Sequence, residues 1–334
     1  MDNLVQQNLS VKLKHTGHVK KNLRMRIQRI AHWTFILFRG IILAGVSYYI
    51  LYPLIAKFML AIMDRTNLYD ITVGMIPHDF TLENIQKVWK ALDYPNAFAN
   101  TLFVTLVTTV TQVISCTLVG YGFARFNFPF KRLLFGLVLF SLIIPPATII
   151  IPMYLNYRFF DFTGGLLNMV TGFNINLVGS PWTFIISGIT CMGFKNGLYI
   201  YLVRQYYRNV PKELEEAAMI DGAGFFKTFL VIMLPSAKPI LSIIVMFSAV
   251  WQWTDIFYSS WFMKDAMLLS RRLDVLAMNI SVQESINGVA NLDLNYITQL
   301  NATGGILVIL PLIVLYIFGQ KLFVEGIERS GIVG

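Results

Sequence analysis

Long apolar runs separated by short polar ones dominate the chain. They fall at about 33–60, 97–123, 133–155, 181–203, 237–262 and 302–320. About 20 apolar residues carry a helix across a bilayer, so each run is long enough, and the pattern predicts six transmembrane helices. Gly40 to Ala56 and Pro95 to Ala124 hold no charge at all. Arg39 and Lys57 flank the first of these stretches as side chains able to snorkel. The third run contains Pro145, Pro146 and Pro152, tolerated where neighbouring helices re-satisfy the freed carbonyls. The fourth holds Lys195, and in the fifth Asp255 is the one charge between Pro239 and Met263. An ionisable group at such depth makes Asp255 a candidate functional site, whereas Lys195 reads as a bundle-interior pair or a snorkelling residue.

Between the fourth and fifth runs, residues 204–235 read as a polar loop with helical signals. Eight charges lie between Arg204 and Pro235, too many for a span when each central charge costs roughly 2.5–3.5 kcal/mol on insertion scales. Pro211 suits a first helical turn. Glu213, Glu215 and Glu216 follow it, where the helix dipole favours anions. Leu214, Ala217 and Ala218 recur at helical spacing, and Gly222 is placed to stop the helix. Phe225, Phe226 and Phe229 then begin a second short helix, and Pro235 and Pro239 interrupt the approach to the next run. Two short helices joined at a glycine elbow predict a compact knob shaped for a partner.

Composition agrees with a membrane protein. The 334 residues are 56% hydrophobic and 13% charged, against about 25% charged in a soluble domain. The net charge of +9 is read as membrane topology and attraction to anionic lipid rather than as nucleic-acid binding. Residues 1–32 are polar and basic, with no cleavage site of a signal peptide, and read as a retained, partly disordered tail. With both ends cytoplasmic, 18 of the 27 Lys and Arg fall on the inner side, as the positive-inside rule requires. The polar stretch 321–334 is then a second cytoplasmic tail. Cys116 and Cys191 sit in apolar runs and read as free thiols.

The string Glu216-Ala217-Ala218, then Gly222, then Ile232-x-Leu234-Pro235 resembles the EAA loop of permease subunits in binding-protein-dependent, ATP-driven importers. The fuller reading EEAAMIDGAG, with Phe229, is similar to the carbohydrate-uptake branch. GYGFARFNFPFKRLL, LIIPPATIIIPMY and the tail QKLFVEGIERSGIVG extend the likeness over about residues 35–334. Trp251-Gln252-Trp253 stands where the family has a Trp-Asn region, with glutamine and tryptophan replacing the usual residues.

The resemblance implies an all-α type I importer permease (MetI-like) architecture in a bacterial cell membrane, with the knob as the ATPase-coupling helix. It implies as partners a second permease subunit, two cytoplasmic ATPase subunits, an extracytoplasmic solute-binding protein and a sugar or oligosaccharide substrate. Glu216, Ala217, Ala218, Asp221, Gly222, Phe225 and Phe226 become the expected ATPase-coupling residues. The two alanines keep the helix thin enough for a groove to close around it. Trp251, Trp253, Asp255 and Tyr258 are the expected substrate-path residues, the aromatic ones suited to stacking on sugar faces or to an interfacial belt.

No G-x-x-x-x-G-K-[ST] phosphate loop occurs in the chain, GAGFFKT lacking the Gly-Lys pair. Nor is there a zinc spacing or a G-x-S-x-G elbow. Neither catalytic, cofactor nor metal residues are expected, and ATP and magnesium would be held by the partner ATPase. Three rival readings remain at this point. One is the same machine for a non-sugar solute. Another is a secondary carrier, which internal repeats and more intramembrane charges would favour. The third is a membrane scaffold or channel, which would have no need of the knob.

Overall fold

The computed structural model describes residues 2–165, 170–172, 174–193, 195–286 and 293–329, and part of the glycine-rich loop and residues 330–334 of the expected tail lie outside them. The described residues are helical, with isolated β-bridges at Met63–Phe80 and Phe160–Ile175. Helix α1 (Asp2–Ile62) is followed by α2 (Glu83–Leu92) and α3 (Tyr94–Arg125). Helices α4 (Lys131–Ile143) and α5 (Pro146–Arg158) come next, then α6 (Trp182–Ile189) and α7 (Asn196–Asn209). The knob contains α8 (Glu213–Ile220) and α9 (Phe225–Ser236), and α9 leads into α10 (Lys238–Thr254). Short helices α11 (Phe257–Phe262), α12 (Leu269–Asp274) and α13 (Leu276–Ile286) precede α14 (Leu294–Arg329).

Segments His32–Ile62, Tyr94–Arg125 and Leu294–Lys321 are each long and apolar enough to cross a membrane as single helices. The third and fifth apolar runs are bent instead. Helices α4 and α5 meet at 109°, and α9 and α10 at 72°. The first bend falls at Pro145-Pro146, where proline removes a backbone donor and its ring obstructs a continuing helix. The second falls at Ala237, between Pro235 and Pro239, and α9 contains a π turn at Phe229–Met233. The fourth run is also broken: α6 ends at Ile189 and α7 begins at Asn196, with Cys191 at φ 59° and Lys195 at φ 65° in the turn.

Three expectations are corrected. Residues 2–32 form no separate irregular tail but continue into the first span as one helix. Leu, Gln, Lys, Arg and Met recur along this stretch, which also holds Gly17, and Pro53 is the one proline in α1. Arg204 to Asn209 lie in α7, so the polar loop starts later than its charges suggested. Helix α14 extends beyond the expected last span at both ends, through Leu294 and Arg329.

Helix α3 is the central pillar. Gly120 lets Val203 of α7 approach to where a Cβ would stand 2.6 Å from it, and Gly188 does the same for α6 at Thr111. Small residues of this kind allow close helix approach where lipid removes the hydrophobic drive. Against α3 pack three apolar clusters. One joins Cys116, Tyr121, Tyr199, Val203, Tyr207, Met233 and Ile244 at the knob end. A second gathers Val88, Leu92, Tyr94, Trp253, Leu276 and Leu300. A third holds Val104, Tyr157, Phe184, Tyr258 and Phe262. The far end of α1 is pinned by Gln299, whose Nε2 donates to the carbonyls of Leu60 (3.0 Å) and Met63 (2.6 Å).

Candidate functional site

The knob is attached rigidly. The Arg125 guanidinium at the end of α3 donates through Nε to Glu215 Oε1 at 2.9 Å and through Nη2 to the Val210 carbonyl at 2.8 Å. Tyr121 also donates to Glu215, at 3.2 Å. The Arg125 and Glu215 side chains are only 6% and 12% exposed, so this pair holds α8 against α3 in a shielded place. Tyr207 of α7 donates to the Met233 carbonyl at 3.2 Å, and Tyr206 donates to that of Ser236. The first bond reaches the end of the π turn and the second the bend that follows it, where the backbone's regular pairing is disturbed. Tyr121 packs on Phe229 and Tyr207 at centroid distances of 4.8 and 5.0 Å, fastening the second knob helix to the same pillar.

The knob's other face is open. Glu216, Ala217, Asp221, Gly222, Phe225 and Phe226 are exposed, together with Leu214, Met219 and Ile220. Ala218 differs from the expected set, because it is buried beneath α8. Gly222 has φ 80°, a left-handed conformation that a side chain resists. It closes α8 by donating to the Met219 carbonyl at 3.1 Å while Ala223 donates to that of Ala218 at 2.9 Å. A thin helix with an acidic first turn and an apolar tip is therefore presented on a fixed base.

Inside the bundle lies a cavity. Its narrower part is lined by Thr108 and Gln112 of α3, Ser187 of α6, Tyr199 of α7, and Ser248, Trp251 and Gln252 of α10. Met153, Tyr157 and Tyr258 line both this part and an adjoining, wider space of ≈ 590 Å³ between the α4–α5 bend and the α6–α7 break. Asn156, Lys195 and Asn196 line this wider part. Aromatic rings alternate with hydroxyl and amide groups on the walls. Ser248 donates to Gln112 Oε1 at 2.6 Å. The Lys195 ammonium lies 5.2 Å from the centre of the Trp251 ring, which stacks on Tyr199 at 6.1 Å. Thr108 Oγ1 and Asn196 Oδ1 are buried and find no hydrogen-bond partner among the described residues.

Of the four expected substrate-path residues, the structure brings Trp251, Asp255 and Tyr258 to the cavity and separates Trp253 from them. Trp253 points the opposite way, donating to the Val308 carbonyl of α14 at 3.0 Å and packing edge-on against Phe98. It lines a separate apolar groove between α3, α10 and α14. Asp255 touches the cavity, but its carboxylate is occupied by the start of α11. It accepts from the backbone N–H of Tyr258 (3.1 Å) and from the N–H and hydroxyl of Ser259 (both 2.7 Å). That makes it a helix cap. Sequence reasoning missed the α3 polar stripe of Thr101, Thr105, Thr108 and Gln112, all buried. Their spacing of four, three and four residues is the signal that one helix face carries them.

Residues 116–329 match the family described as binding-protein-dependent transport system inner membrane component. The melibiose/raffinose/stachyose import permease protein MelC of Bacillus subtilis is 28% identical over 261 residues, 78% of this chain and 84% of that relative. The maltodextrin transport system permease protein MalD of Streptococcus pneumoniae is 24% identical over 290 residues, 86% of this chain and 92% of the relative. Among solved structures, a chain of a bacterial ABC transporter involved in the import of the acidic polysaccharide alginate superposes with a TM-score of 0.65. It is 22% identical, over 86% of this chain and 96% of that one.

Proposed function

This chain belongs to the binding-protein-dependent transport system inner membrane component family, and from that premise we propose that it forms half of the translocation path for a sugar or oligosaccharide and is driven through its knob by an ATPase. It is a multi-pass membrane transport subunit. The observation that carries the proposal is the connection between the two sites. Helix α9 begins at the knob's exposed Phe225 and Phe226, and α10, which follows it directly, presents Ser248, Trp251 and Gln252 to the cavity. A displacement of the knob is thus a displacement of the cavity wall. Packed elements of this sort switch between discrete arrangements by rigid-body motion.

The cavity chemistry supports a carbohydrate. Flat aromatic faces accept the apolar side of a pyranose ring, and Thr108, Gln112 and Asn196 supply hydroxyl and amide partners for sugar hydroxyls. The full machine would add a second permease, two ATPase subunits holding ATP and magnesium, and a solute-binding protein. Both termini and the knob would be cytoplasmic. ATP-dependent uptake of labelled maltodextrin and raffinose by proteoliposomes containing the assembled complex tests the assignment. Accumulation that follows an imposed ion gradient and ignores ATP would refute it. Labelling of single engineered cysteines from outside intact cells tests the orientation: Asp79→Cys should react and Lys212→Cys should not.

A further inference from the structure

Helices α4 and α7 run antiparallel, with Ser141 and Leu142 of one beside Gly197 of the other and Phe135 stacked against Tyr201 at 6.5 Å. One turn further, the Arg204 guanidinium lies 3.8 Å from the centre of the Phe135 ring. This geometry carries Lys131 at the start of α4 toward Arg208 at the end of α7, with Arg204 between them and Lys212 just beyond. Among the described residues, none of these four cations is paired with a carboxylate. The nearby Glu215 is taken by Arg125. Arg204 Nε is buried and finds no hydrogen-bond partner among the described residues. Lys131 donates to the Phe126 carbonyl at 2.6 Å, which leaves two of its three protons uncommitted. Burial, then repulsion from Arg204, Arg208 and Lys212, holds its ammonium below the ordinary lysine pKa.

Four cations gathered without an anion call for one from outside. Immediately beyond them, on the same two helices, Leu133, Leu134, Leu137 and Tyr201 are exposed. A charged cleft opening onto an apolar strip has the amphipathic pattern of a phospholipid, phosphate at one end and acyl chain along the other. We propose that the cleft between the start of α4 and the end of α7 binds the headgroup of an anionic phospholipid, with an acyl chain lying over Leu133, Leu134 and Leu137. An ATPase surface is the less suitable occupant, because these leucines lie along α4 within an apolar run rather than on the knob.

The test uses the assembled complex in nanodiscs of phosphatidylglycerol mixed with phosphatidylcholine, measuring the phosphatidylglycerol retained after exchange into detergent. Basic side chains near a membrane surface contribute about five-fold each to anionic-lipid affinity. Lys131→Gln/Arg208→Gln should therefore lower the apparent affinity roughly 25-fold by the same per-charge factor. Arg208→Gln alone, at an exposed position, should lower it about five-fold without endangering the fold. Lys264→Gln, in the exposed loop after α11, should leave it unchanged. Water-soluble glycerol phosphate should compete far less well than the lipid, because it lacks the chain. Equal retention by wild type and both variants would overturn the proposal. So would full competition by glycerol phosphate, which would make the cleft a phosphate site. Loss of the ATPase with lipid retention intact would assign the cleft to the ATPase and overturn it as well.

Discussion

Arg125 and Glu215, 90 residues apart in sequence, form a 2.9 Å ion pair that ties the end of the central helix to the first helix of the knob. The pair is shielded from water, so its attraction is less screened than that of a surface pair. Removing one partner leaves the other charge in a place with little solvent. Arg125→Met should cost roughly 3 kcal/mol, read as a lower thermal midpoint of the purified complex. Arg125→Met/Glu215→Met should recover part of that loss, since neither charge is then stranded. A double variant as unstable as the sum of the singles would mean that the pair contributes no coupling.

Trp251 and Trp253 separate by function. Trp251→Ala should raise KM for uptake several-fold while the complex assembles normally, because its ring lines the cavity. Trp253→Ala should instead destabilise the protein by about 3 kcal/mol or more through the lost core ring, with KM for the surviving protein unchanged. Uptake kinetics and thermal unfolding on both variants check the distinction. An altered KM in Trp253→Ala alone would reverse the assignment.

Asp255 is expected to act on stability. Asp255→Ala removes the cap of α11 and should cost about 1 kcal/mol, whereas Asp255→Asn keeps an acceptor and should cost less. Thermal midpoints of the two variants provide the check. A total loss of uptake by a stable Asp255→Asn protein would show that the charge itself is required in transport.

The apolar runs, the knob and its glycine elbow were legible because each depends on local signals: run length, charge density and a residue suited to positive φ. The bends were only partly legible. Pro145-Pro146 and Pro235 announce interruptions, but no local signal sets the 109° and 72° angles. The separation of the two tryptophans could have been read. Residues two apart on a helix point about 200° away from each other, so Trp251 and Trp253 cannot share a face, whereas Ser248, Trp251, Gln252 and Asp255 can. The Arg125–Glu215 pair had no such signal, since nothing periodic links residues on two different helices. The capping role of Asp255 was hidden by the assumption that the fifth span continued unbroken.

The central claim is that the knob engages an ATPase through its exposed face. Ala217 is exposed, so Ala217→Trp leaves the interior untouched and obstructs a fitted groove, which has few voids to receive a large ring. Gly222→Val acts by a second route, forcing a β-branched residue into φ 80° at the elbow. The most direct measurement is the amount of ATPase that co-purifies with each membrane-inserted variant, with uptake recorded on the same preparations. Both variants should lose the ATPase and ATP-driven uptake while the chain remains in the membrane at wild-type level. Retention of the ATPase and of full uptake by both would contradict the claim.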